Sequence, residues 1–105
     1  MSYEYILFLP EMLPAKDVFL NNIRTSSTFV GECGGTFSLA DPQLDRSWSY
    51  DVRIIEEGGN RYLIEVTAVS VILYQTIRRS LEGMEYKLMD VDCEGAVSLE
   101  SVFRV

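Results

Sequence analysis

Four carboxylates lie close together near the end of the chain: Asp90, Asp92 and Glu94 in the run Asp90-Val91-Asp92-Cys93-Glu94-Gly95, then Glu100. Carboxylates in such a group accept hydrogen bonds from Arg or Lys, or they ligate a hard divalent cation. The run imitates a calcium loop. Acidic residues occupy its first, third and fifth positions, and glycine the sixth. The twelfth position calls for a bidentate glutamate, but it is Ser101, and Glu100 comes one residue early. That departure counts against a metal and leaves no cofactor expected. Two readings remain: a solvated edge whose repulsion is screened by salt, or a docking face for a cationic partner.

Other chemistries are limited by what is missing. The 105 residues include no histidine, so Ser-His and Cys-His nucleophile pairs are impossible within this chain. Histidine zinc sites are excluded too, and Cys33 and Cys93 are too few for a four-cysteine site. Two isolated cysteines make no disulfide framework; both are expected to be reduced thiols, with Cys93 a small core filler. Gly34-Gly35 and Gly58-Gly59 match no phosphate-binding loop. No acid–base pair can be placed, so no catalytic residue is expected. Nine Lys and Arg against sixteen Asp and Glu leave a net charge of −7, which repels nucleic acid and suits a basic protein. No apolar run approaches the roughly 20 residues that span a bilayer, so neither a membrane nor a nucleic acid is an expected partner.

These residues need elements to position them. Residues 3–9 are apolar on both parities (Ile6 and Phe8, Leu7 and Leu9), as in a central strand covered on both sides. Pro14 suits a first helical turn, and Ala15, Phe19 and Ile23 recur every four residues, predicting a helix over 14–24. Gly34-Gly35 turns a small hairpin with arms 28–32 and 36–39. Residues 49–57 and 61–67 form a stronger hairpin. A three-residue loop, Gly58-Gly59-Asn60, pairs Tyr50 with Ala68, Val52 with Val66 and Ile54 with Ile64 inward. It pairs Arg53 with Glu65 and Glu57 with Arg61 outward.

Val69, Ile72, Leu73, Ile77 and Leu81 give the face of a second helix over 69–82, with Ser70 as its cap and Gly83 as its stop. Residues 85–93 and 97–105 read as a last hairpin in which Met89, Val91, Cys93, Val97, Leu99 and Phe103 face inward. Outward, Asp90 then opposes Glu100 and Asp92 opposes Ser98. Like charges facing each other are destabilising, so an outside cation is expected to relieve them.

The order predicts a single α+β domain, 1–105. It is a ferredoxin-like βαββαβ with an inserted small hairpin and an extra C-terminal strand, an antiparallel-rich sheet with two helices on one face. Partner-binding candidates are Asp90, Asp92, Glu94 and Glu100. Secondary ones are Glu56 and Glu57 at the first hairpin turn, and Trp48, which with Tyr50 lies among Asp41, Asp45 and Asp51.

In size, acidity, lack of histidine and α+β pattern, with Tyr5-Ile6-Leu7-Phe8-Leu9-Pro10-Glu11 at the start and the acidic hairpin at the end, the chain resembles bacterial immunity proteins. Those proteins neutralise polymorphic or contact-dependent growth-inhibition toxins. The resemblance implies a cytoplasmic inhibitor, not an enzyme, that binds a cognate, often basic nuclease-type toxin domain and blocks its substrate. Another class stays open: a homo-oligomeric ferredoxin-like module sensing a small ligand between sheet and helices, its edge strands pairing between subunits.

Overall fold

Alternating apolar residues build one sheet, and helical periodicity builds the layer that covers it. The structure is a computed structural model describing residues 3–44, 49–92 and 95–105. Along the chain run β1 (Tyr3–Phe8), α1 (Leu13–Arg24), β2 (Phe29–Cys33), β3 (Thr36–Leu39), β4 (Val52–Gly58), β5 (Arg61–Val66), α2 (Val71–Ser80), β6 (Lys87–Asp90) and α3 (Leu99–Phe103). The strands stand in the order β2-β3-β4-β5-β1-β6, with every neighbour antiparallel. This is an α+β architecture. No helix among the described residues is long and apolar enough to cross a membrane.

The sheet has one covered face. Leu7, Phe37, Leu39, Val52, Ile54, Tyr62, Ile64, Val66 and Leu88 all point to it and are buried. Phe19, Leu20 and Ile23 of α1, Leu73 and Ile77 of α2, and Leu99, Val102 and Phe103 of α3 complete the same core. α1 packs on α2 and α2 on α3, so the helices form a single layer. Pro14 lies in the first turn of α1, where its missing N–H costs nothing. Ser70 caps α2 by accepting the Leu73 N–H, and Gly83 follows at φ +80°. Between β3 and β4, buried Asp51 pins the connection: its carboxylate accepts the Asp41 N–H at 2.8 Å, and its carbonyl accepts from Thr67.

β1 lies inside the sheet, between β5 and the edge strand β6, but it is not covered on both sides as its two apolar parities predict: Leu7 is buried under the helices, while Ile6 and Phe8 are only half-buried on the other face. The small hairpin β2–β3 extends the sheet at β4. In the stronger hairpin Val52 pairs with Val66, Ile54 with Ile64 and Arg53 with Glu65, as the parity requires. Its turn differs from expectation. Gly58 pairs with Arg61, leaving two loop residues, and a bulge between Glu56 and Gly58 supplies the extra residue instead. A bulge shifts parity as a longer loop does. Gly58 at φ +108° and Gly59 at +58° supply backbone that other residues rarely adopt. Tyr50 lies before β4 rather than opposite Ala68.

The C-terminal expectation is corrected. Residues 97–105 are not a strand. After the Met89–Ala96 bridge the chain turns into α3, whose N-cap Ser98 accepts the Ser101 N–H at 3.1 Å. Leu99, Val102 and Phe103 then share one helical face in the core. The parity of β6 is also reversed: Leu88 points to the core, while Met89 pairs with Ile6 on the other face. Leu88 lies beside Leu7, the inward residue of β1, so the neighbour decides which of two adjacent apolar residues is buried.

Candidate functional site

The reversed parity and the C-terminal helix separate Glu100 from Asp90, two of the carboxylates that the last hairpin was to align. Asp90 ends β6 opposite Tyr5, on the side of the sheet that Leu88 shares. Its Oδ1 accepts the Asp92 N–H at 2.8 Å, closing a local turn that leaves Asp92 exposed. Burial, and then the nearby Asp90 charge, push the Tyr5 phenol up. Glu100 lies in the first turn of α3, where it accepts the Tyr74 hydroxyl at 2.6 Å. That bond, followed by a backbone one, holds the Glu100 carboxyl below the usual range and raises Tyr74. Asp90 is therefore not paired with Glu100. Glu94 and Cys93 lie outside the described residues, as does Trp48. Cys33 is an exposed free thiol.

The secondary candidates are engaged by cations of their own chain. Glu56 points to the covered side with Tyr62 and binds Lys16 of α1 at 3.1 Å. Glu57, in the bulge, binds Arg61 at 2.9 Å. Neighbouring in sequence, they serve two different surfaces. Among the described residues, no three side chains of metal-ligating type come together.

A different region combines shape, apolar surface and surplus charge. Pro10, Met12, Pro14 and Val18, at the start of α1, face Gly83 and Met84 beyond α2 across a cleft of about 390 Å³. Met12 is 70% exposed and Val18 45%, so the lining is open to a partner. Glu82 and Glu85 stand on the α2 side of the cleft. Glu11 lines an adjoining hollow with Met12 and Lys16. Glu11, Glu82 and Glu85 form no ion pair with a described residue, whereas Glu32, Glu56, Glu57 and Glu65 do, with Arg24, Lys16, Arg61 and Arg53. An apolar centre with a charged rim is how protein interfaces are commonly built.

Sequence reasoning missed this cleft because its two walls are far apart in the chain. The available signal was Met12 between Pro10 and Pro14, an apolar residue at a place where neither strand nor helix period buries it. Compared with known protein families, curated proteins and solved structures, the chain matches none.

Proposed function

We propose that the chain is an immunity-type inhibitor. It binds a cationic, nuclease-type toxin protein in the cytoplasm and covers the toxin's substrate channel, without catalysis of its own. The observation that carries this reading is the apolar cleft at Met12 and Val18 with Glu82 and Glu85 on its rim, neither in an ion pair with a described residue. Channels that hold nucleic acid are electropositive. A surface with surplus carboxylates associates quickly with such a channel, and its apolar centre then slows dissociation. The net charge of −7 favours encounter with a basic partner. Without β2 and β3 the remaining order is β4-β5-β1-β6, which we read as the ferredoxin-like arrangement with a hairpin added at one edge.

The test begins with the neighbouring reading frames. Any toxin domain found encoded beside this gene is expressed with and without the chain, and growth is followed. Growth restored by the wild type is the expected result; continued growth arrest despite a soluble chain refutes the inhibitor reading. For the purified pair at low salt, Glu82→Lys with Glu85→Lys slows association by about tenfold, in the range of electrostatic steering. An unchanged rate would move the interface away from the cleft.

A further inference from the structure

Among the described residues no helix covers the second face of the sheet, and its residues form three ordered rows. The middle row crosses the strands as Thr36, Ile55, Leu63, Ile6 and Met89, each paired with the next. Four of these five are apolar and half-buried by their neighbours alone. One flanking row runs Arg53, Glu65, Glu4 over β4, β5 and β1. The other runs Glu57, Arg61, Phe8, Lys87 over β4, β5, β1 and β6. Arg53 binds Glu65 at 2.7 Å, and the Tyr50 hydroxyl reaches the same carboxylate oxygen. Arg61 lies 5.8 Å above the Phe8 ring. Glu4 and Lys87 are exposed and form no ion pair with a described residue.

We propose that two copies of this chain pack face to face through this surface, related by a two-fold axis lying along the apolar row. Such an axis keeps each strand column and exchanges the flanking rows. Ile55, Leu63, Ile6 and Met89 then meet their own counterparts. In the β4 column Arg53 faces Glu57 of the second copy, and in the β5 column Glu65 faces Arg61. In the β1 column Glu4 comes over Phe8, between Arg61 and Lys87. Arg53 and Glu65 thus meet opposite charges directly, and Glu4 lies beside two cations. The alternative axis, parallel to the strands and centred between β5 and β1, lays the Arg53–Glu65–Glu4 row on itself and sets Glu4 of one copy against Glu65 of the other. Like charges brought together at an interface are strongly unfavourable, so the charges select the first axis. The result is an isologous interface with an apolar centre and a paired rim. It uses the side of the sheet away from the helices and leaves the Met12 cleft open, so it is independent of the inhibitor reading.

Sedimentation velocity on the full chain, from about 1 to about 100 µM, tests the proposal in the range where modest interfaces populate. The wild type is expected to shift from monomer to dimer over that range. Leu63→Arg, which sets two cations against each other on the axis, is expected to stay monomeric while its thermal unfolding remains cooperative. The charge swap supplies the second arm. Glu4→Lys and Lys87→Glu, each alone, weaken the dimer by about fivefold, as expected for a rim pair present twice. The double variant recovers wild-type dimerisation. A wild type that is monomeric at the highest concentration overturns the proposal, as does a dimer that both Leu63→Arg and the single charge variants leave intact.

Discussion

The two faces of the sheet use the same strands for different ends. On the covered face Ile54, Tyr62, Ile64 and Leu7 are shut off from water by three helices. On the helix-free face Ile55, Leu63 and Ile6, one residue away along the same strands, keep part of their surface in solvent, and charged rows run on either side. Apolar area removed from water is what stabilises, so the covered face holds the fold and the other face remains available for recognition. Substitutions in adjacent positions should separate the two roles.

The largest effect is expected from Ile54→Ala. This residue is 0% exposed, and the lost transfer energy plus a cavity should reduce unfolding free energy by about 2–5 kcal/mol. Leu63→Ala, on the other side, should cost about 1 kcal/mol or less when denaturant unfolding is followed at low protein concentration. Equal losses at the two positions would mean that both faces are core. Next is Glu65→Gln. Its carboxylate, with the side chain 15% exposed, accepts from both Arg53 and Tyr50, and losing the charge should cost about 1–2 kcal/mol. An unchanged urea midpoint would show that the polar row contributes nothing to the monomer.

The smallest effect tests the covered face itself. The Tyr62 hydroxyl is buried with no hydrogen-bond partner among the described residues, and burial, reinforced by Glu56 and Asp17, pushes its pKa up to about 12. Removing an unsatisfied hydroxyl is neutral or favourable, so Tyr62→Phe should equal the wild type or exceed it by up to about 1 kcal/mol at neutral pH. A group raised in the folded state contributes fully below its unfolded value and loses that contribution as pH climbs through the folded one. The wild type should therefore lose stability relative to Tyr62→Phe between about pH 10 and pH 12. Parallel stability curves across that window would contradict the burial argument.

Much of the fold was legible because its periods were unambiguous. Ala15, Phe19 and Ile23 fit only a helix, and the register of Val52, Ile54, Ile64 and Val66 follows from parity and charge together. The C-terminus was not legible for a physical reason. Val97, Leu99 and Phe103 satisfy a period of two, while Leu99, Val102 and Phe103 satisfy a helical one. The Ser98 cap and packing against α2 decide between them. Leu88 and Met89 pose a similar choice, resolved only by Leu7 next door. The expected opposition of Asp90 and Glu100 depended on both decisions and is lost with them. The cleft depended on bringing Met12 to Met84, which no local pattern encodes.

One detail at the margin of the sheet limits what this molecule can build. The outer flank of β6 is already occupied by its own chain, through the Met89–Ala96 bridge and the bonds from Asp90 N–H to Gly95 and from Val97 N–H to Leu88. Among the described residues strand addition therefore has one free end, at β2, where the ladder is interrupted between Phe29 and Gly31. A template that can be extended from one side only stops after a single joining event. Runaway polymerisation into fibres, the hazard of any open sheet, has no second end from which to grow.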